Sequence, residues 1–481
     1  FGPPMAHPQV VRVYSTYQDP DYESPWQSVA PRGSTGSGVL VGPMEILTGA
    51  HVVANATFVQ VQKQSDPAKV TARVVAISHD SDLALLRVDN RSFSKGIRPA
   101  VIGELPRLRD AVQVVGFPIG GEEVSITEGV VSRIEVQRYE HSQRHLLAVT
   151  VDAAINDGNS GGPVFARGKV VGIAFQSLPD AESIGEMVPA PILRRFLAGV
   201  RAGRAPDVPG IGVTTQPLEN PALRRHLGMR DRDSGVLVTA VQFGSSAWGL
   251  MQRGDVLMRL DGMRIADNGT VQYRGRFRCQ FDVVVGDHHA GDVVEALILR
   301  EGKPRVVKLT MAKMALLVPR TEYECMPSWF LFGGLVFQRL TAEYLRIWGE
   351  QWWDKAPKEL LHLYHSGERR PDRQEIVVLQ QVLADAVNVG YEPFTNDVVV
   401  EVNGVMPVDL RDFVKRIDEA EGEVVLRLSS GATVLFLARE ARAAHERILT
   451  RYHVPGDRSP DLAVAPRVAA KVVKRKARRS R

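Results

Sequence analysis

The sequence predicts a mainly β protein, in which a region of many short strands is followed by two copies of a smaller α/β module. Three observations predict it. Over the first 200 residues, short apolar runs separated by turn residues recur with almost no helical period. A Pro/Gly-rich stretch, RAGRAPDVPG (201–210), then breaks the pattern and marks a boundary. Beyond it, DVLMRLDG (255–262) aligns with DVVVEVNG (397–404) at an offset of 142 residues, an internal repeat.

Taken in order, the predicted strands of the first region are GSGVLVG, MEILTGAHVV, FVQVQ, KVTARVVAI, LALLRV, AVQVVGF, GVVSRIEV, LLAVTVDA and KVVGIAF. Alternation over so many short runs predicts a barrel or sandwich. Apolar residues at helical spacing in PILRRFLAGV (191–200) predict a closing helix. The repeat modules continue with VEALILREG and VVLRLSSG as strands. The second adds one amphipathic helix, DLRDFVKRIDEAEG, with Leu410, Phe413, Val414 and Ile417 on one face. The expected organisation is an N-terminal extension (1–32), a β domain (33–200), a linker (201–209), a first module (210–313), a second (325–445) and a C-terminal extension (446–481).

Composition narrows the class. At 481 residues, 44% hydrophobic and 24% charged, the chain can bury several cores. Its longest notable apolar run, Trp329–Phe337, is far below the roughly 18 residues of a spanning helix, so no transmembrane segment is expected. Two cysteines, Cys279 and Cys325, exclude a disulfide scaffold. The opening Phe-Gly-Pro-Pro-Met carries no leader pattern, which predicts a further segment upstream and leaves the compartment unread. Of the cations behind the net charge of +5, eight lie in residues 467–481 with no acid among them. The basicity is therefore a tail that cannot pack, and no specific nucleic-acid partner is expected. His288-His289 and the pair His362 and His365 lack carboxylate or thiolate company at ligand spacing, so neither a metal nor any other cofactor is expected.

The chemistry concentrates at DAAINDGNSGGPVF (152–165), where glycines surround Ser160. A serine hydroxyl is a poor nucleophile unless a base takes its proton and a third group orients that base. His51 in LTGAHVV is the candidate base. Asp82, abutting the apolar run LALL, is the candidate orienting group, with Asp80 as its competitor. Ser37, in the other glycine-rich stretch, is read as a turn residue. The order His51, Asp82, Ser160 is that of chymotrypsin. Gly-Asn-Ser-Gly-Gly also fits the nucleophile elbow of α/β-hydrolases, but that elbow requires a helix directly after the serine, and here Pro163 and a strand follow.

TGAHVV, DSDLALLRV and NDGNSGGPV together resemble the three catalytic segments of HtrA/Deg serine proteases, with GSTGSGVLV as the family's entry strand. The resemblance covers residues 33–200 and implies a trypsin-like double β-barrel with His51, Asp82 and Ser160 catalytic. It also implies an oxyanion hole at Gly158, Asn159 and Ser160, with the amides of Gly158 and Ser160 as its donors. Asp157 departs from the family's proline or small residue and puts constitutive activity in question. A specificity pocket at Ala154, Phe175, Gln176 and Ser177 shows no carboxylate in sequence, which predicts cleavage after small or medium aliphatic residues rather than Lys or Arg. The modules resemble PDZ domains, with Gly210, Ile211, Gly212 and Val213 as the carboxylate-binding loop of the first. Phe332-Gly-Gly-Leu-Val336 is the corresponding loop of the second, which is expected to serve assembly. MPSWFLFGGLVFQRLTAEYL and RYHVPGDRSPDL resemble the plant-type Deg proteases and their bacterial relatives.

The resemblance implies an ATP-independent endopeptidase for unfolded or damaged proteins that works through an acyl-enzyme. Peptide C-termini would be its module ligands and homotrimers its building block. In a bacterium the implied compartment is extracytoplasmic, periplasmic or cell-envelope. The alternative reading is a silent or conditionally active chaperone and PDZ scaffold.

Overall fold

The computed structural model describes residues 7–118, 123–153, 155, 158–177, 184–320 and 322–463. The basic tail, Ala154 and Asp157 lie outside the described residues. The chain divides into two compact units: residues 1–325 with 340–374, and residues 326–339 with 375–481.

The first unit opens with two closed six-stranded barrels, in agreement with the expected double barrel, except that residues 1–32, expected as an extension, supply a strand of barrel one at Val10–Tyr17, paired on both sides. Barrel one comprises β1 (Val10–Tyr17), β2 (Arg32–Leu40), β3 (Glu45–Thr48), β4 (Ala56–Lys63), β5 (Lys69–Ser78) and β6 (Leu83–Val88), ordered β1-β2-β3-β6-β5-β4. Barrel two comprises β7 (Ala111–Gly116), β8 (Ser125–Arg138), β9 (His145–Val151), β10 (Pro163–Ala166), β11 (Lys169–Ser177) and β12 (Gly185–Pro189), ordered β10-β11-β12-β9-β8-β7. Several of these strands, such as Leu83–Val88 and His145–Val151, are buried almost continuously, and closure leaves no sheet edge. Val11, Val13, Leu40, Ile46, Val61 and Leu86 fill barrel one.

Two helices accompany the barrels, α1 (Ala50–Val53) and α2 (Ala190–Arg201). MEILTGAHVV is therefore not one strand, as its apolar run suggests. It is β3, a glycine and a single helical turn, because Val52 and Val53 turn back into the core of barrel one. The closing helix stands where its period places it, burying Ile192, Leu193, Phe196 and Leu197.

The first module follows in the same unit. β13 (Val213–Pro217), β14 (Val236–Val241), β15 (Val256–Leu260), β16 (Met263–Arg264), β19 (Val293–Arg300) and β20 (Lys303–Thr310) form one sheet, and β17 (Thr270–Tyr273) pairs with β18 (Phe277–Gln280). A short helix, α3 (Pro221–His226), starts at Asn220, whose side chain caps the amides of Ala222 and Leu223. The segment 340–374 adds α4 (Ala342–Leu345), α5 (Trp352–Lys355) and α6 (Lys358–Ser366).

The second unit is a six-stranded sheet in sequence order, β21 (Trp329–Phe332), β22 (Leu335–Arg339), β23 (Val377–Val382), β24 (Asp397–Val402), β25 (Glu423–Leu428) and β26 (Thr433–Leu437). Two helices pack on it, α7 (Leu410–Asp418) and α8 (Ala438–Tyr452). The α7 helix begins where Asp409 accepts the amide of Asp412 at 2.7 Å. Leu410, Phe413, Val414 and Ile417 are its buried face, with Phe413 against Phe330 and Phe337.

Candidate active site

β3 ends at Thr48, and a one-glycine turn delivers His51 into the first turn of α1. A Cβ on Gly49 would lie 2.6 Å from Cε1 of His51, so only glycine lets the ring fold back there. Asp82 is 1% exposed, at the mouth of β6. Its φ of +52° is a left-handed conformation that aspartate tolerates better than most residues. Oδ2 of Asp82 lies 2.7 Å from Nδ1 of His51, and Oδ1 accepts the His51 backbone amide at 2.8 Å. The carboxylate can only accept, so Nδ1 carries the hydrogen and Nε2 presents its lone pair. Burial alone would lower the pKa of His51, but the Asp82 charge and hydrogen bond leave it raised above 6.5. Asp82 itself is lowered: burial raises it, and His51 and His141 more than offset this.

Asp80 is turned elsewhere, accepting the amide of Val208 at 2.9 Å with Arg144 at 3.8 Å.

Ser160 is half-exposed on the turn that precedes β10. Its carbonyl accepts the amide of Ser37 at 2.9 Å, and Gly161 donates to Ala174 O at 2.8 Å. Gly161 has φ +77°, and a Cβ there would sit 2.6 Å from Ser37 O and 3.0 Å from Gly49 N. The serine turn therefore abuts the residues just before His51. Gly158 and Asn159 are buried beside it. Nε2 of His51 is buried and makes no hydrogen bond here, so the histidine–aspartate bond is formed while the serine–histidine bond is not.

The PDZ domain family matches residues 318–461 and the trypsin-like peptidase domain family residues 36–173. Over 94% of this chain and 75% of its own length, Protease Do-like 2, chloroplastic, of Arabidopsis thaliana is 38% identical. Protease Do-like 4, mitochondrial, of the same plant is 34% identical over 93% of this chain and 84% of its own. The chain belongs to the Do-like (HtrA/Deg) serine protease family. Among solved structures, the HtrA-type protease AlgW with tripeptide superposes with a TM-score of 0.50 at 24% identity, over 64% of this chain and 94% of that one. As a member of this family the protein is a serine endopeptidase.

In this Do-like protease the predicted pocket residues separate. Phe175 packs its ring on Tyr139 at 4.4 Å and belongs to the core. Gln176 instead faces a cleft of about 450 Å³ with Gln137, Arg138, Glu140, Gln143 and Glu186. Nε2 of Gln176 donates to Glu186 at 2.6 Å. The expectation that no carboxylate faces this wall is corrected at Gln176, because β12 places Glu186 directly across from it in register. Burial pushes the Glu186 carboxyl up, against the bond from Gln176. Ser177 ends β11.

In the first module, Ser246 donates to Gly210 O at 2.7 Å, the Ala247 amide to Ile211 O at 3.0 Å, and the Gln242 amide to Gly212 O at 2.8 Å. Carbonyls of the loop are thus tied inward ahead of Val213, where β13 starts at the end of its sheet. In the second unit, Gly333 and Gly334 form the tight turn of the β21–β22 hairpin, and β22 is paired on both sides. His288 contacts Asp261 at 3.0 Å, and no ligating group of three or more residues occurs among the described residues.

Sequence reasoning passed over Ser37 as a turn residue. It lies instead in β2, fully buried, with Oγ donating to Gly158 O at 2.7 Å and accepting the Phe117 amide at 2.8 Å. Its carbonyl takes the hydroxyl of Thr48 at 2.7 Å. One side chain thereby brackets the serine turn against both barrels. Only its place in a glycine-flanked strand hinted at this.

Proposed function

We propose that this protease cleaves unfolded or damaged polypeptides without ATP, through an acyl-enzyme formed on Ser160. The observation that carries the reading is the doubly bonded Asp82–His51 pair, whose Nε2 is left without a hydrogen bond while the serine turn abuts Thr48 and Gly49 just before His51. His51 takes the Ser160 proton as Oγ attacks a peptide carbonyl, and returns it to the leaving amine. Water then attacks the ester with His51 as base again. Asp82 holds the Nδ1–H tautomer and stabilises the imidazolium. The amides of Gly158 and Ser160 receive the developing oxyanion, each worth about 3 kcal/mol of transition-state stabilisation. No step requires a nucleotide.

The first module receives substrate C-termini, since β13 is an end strand to which an extended peptide can add. In the second module the strand after the glycine turn, β22, is paired on both sides and offers no such edge, and this module serves assembly into trimers or trimer-based oligomers. Relatives named for mitochondria and chloroplasts favour a compartment outside the cytosol. A second reading, a conditionally active or silent chaperone, is favoured by one observation, the unformed bond at Nε2 of His51. Incubation with unfolded casein separates the two. The protease reading requires fragments from the wild-type chain and none from Ser160→Ala; intact casein in both, with aggregation suppressed, supports the chaperone.

A further inference from the structure

The segment that follows the first module carries Tyr323 and Glu324, and both reach the flank of the His51–Asp82 pair. Glu324 grips Asn55, just past α1: its amide donates to Asn55 Oδ1 at 2.7 Å and its Oε1 accepts the Asn55 amide at 3.0 Å. Its Oε2 lies 2.6 Å from Nε2 of His79, whose carbonyl accepts the Asp82 amide at 3.3 Å. Tyr323 stacks on His79 at 4.2 Å and on His141 at 4.4 Å, and its hydroxyl is 3.0 Å from Nδ1 of His141. Nε2 of His141 is 2.8 Å from Nδ1 of His79. The His141 ring meets His51 edge-on at 6.2 Å.

With both rings neutral, a single assignment of hydrogens satisfies all three contacts. The Glu324 carboxylate takes the Nε2–H of His79, His79 Nδ1 takes the Nε2–H of His141, and His141 Nδ1 takes the hydroxyl of Tyr323. The Tyr323 hydroxyl also lies 3.3 Å from the His141 carbonyl, a second acceptor on the same residue. A neutral ring beside His51 matters because His51 becomes a cation during turnover, and a second cation at this range would oppose it.

We propose that Tyr323 and Glu324 act as a strap that seats His141, uncharged, against His51, making His141, His79 and Tyr323 positioning residues for the catalytic base. The inference rests on the reading of His51 as that base. The groups facing His141 are His51 on α1, His79 and Asp82 on the turn before β6, and Tyr323 and Glu324 on the strap. Burial pushes its pKa down to about 4; Asp82 and Glu324 act against this, and positive charge on His79 or His51 adds to it. The strap ends at Cys325, from which the chain enters the second unit.

The test uses the full chain and casein kinetics across pH 5.5 to 9. Tyr323→Ala uncovers His141, which then titrates near the ordinary histidine value. The expected result is a fall in kcat of about tenfold with KM unchanged, as for a slightly misplaced base. The acid limb of log kcat/KM steepens from a slope of one towards two, as His141 and His51 protonate together. Tyr323→Phe keeps the ring, removes the hydroxyl, and gives a smaller fall in kcat with unit slope. If Tyr323→Ala does not fold, Tyr323→Phe decides, and a wild-type kcat in it overturns the strap. Unchanged kcat and slope in both variants also overturn it. Imidazole NMR of the Ser160→Ala chain reads His141 without activity. Titration near 6.5 there refutes the strap, whereas absence of Ser160-dependent turnover in the wild type refutes the reading of the base instead.

Discussion

Asp82 holds His51 at two points, its ring through Nδ1 at 2.7 Å and its backbone amide at 2.8 Å. A single carboxylate thus fixes the tautomer, the ring plane and the start of α1 together. Replacing it with asparagine retains the shape but lets the amide nitrogen face Nδ1, which favours the wrong tautomer. Asp82→Asn is expected to lower kcat by about 10⁴ with little change in KM, measured on casein.

The same pair sets the pH dependence. As the proposed base, His51 acts only when neutral, and its pKa is raised because the Asp82 charge and hydrogen bond outweigh burial. Activity therefore rises with pH through a midpoint above 6.5 and is lost below it. In Asp82→Asn the raising charge is gone while burial remains, so the residual activity titrates at lower pH. A kcat/KM profile of both chains checks the direction; a midpoint that stays or rises contradicts it.

Ser37→Ala removes the bracket across the serine turn. The Gly158 carbonyl and the Phe117 amide lose their partner inside the protein, a cost of about 1–3 kcal/mol. Chemical denaturation is expected to register that loss. Turnover should fall by more than the unfolded fraction explains, because Gly158 is an oxyanion donor in the proposed mechanism.

Gly161→Ala and Gly168→Ala separate backbone strain from collision. Their φ angles are nearly equal, +77° and +74°, but a Cβ at Gly161 strikes Thr48 and Ser37 whereas one at Gly168 meets nothing within 4 Å. Gly168→Ala should cost about 1–2 kcal/mol and leave kcat intact. Gly161→Ala should abolish turnover.

If the cleft at Gln176 takes part in substrate recognition, its charge sets the preference. Glu140 and Glu186 outnumber Arg138 there, so peptides that place Lys or Arg in the cleft should be favoured. Cleavage-site profiling of a denatured proteome is expected to show basic residues enriched near the cut, and Glu140→Gln with Glu186→Gln to remove the enrichment. Equal profiles would assign the cleft no part in recognition.

How much of this was legible in sequence follows from distance along the chain. The alternation of the barrel strands and the stripe of α7 are local patterns, and TGAHVV, DSDLALLRV and NDGNSGGPV each keep their chemistry within a few residues. The α8 helix escaped because its buried face is Ala438, Ala441, Ala444 and Ile448, too small to stand out as a hydrophobic stripe. The one-turn α1 escaped because HVV favours a strand by propensity, and burial of Val52 and Val53 overrides it. Ser37 meets Gly158 across 121 residues and Tyr323 meets His141 across 182. No window of sequence contains either contact.

The most direct measurement is labelling of the intact chain with a fluorophosphonate, followed by peptide mapping. A serine activated by His51 gives one adduct, on Ser160, that disappears in His51→Ala. A folded, casein-cleaving chain that takes no label at Ser160, or takes it equally without His51, contradicts the account.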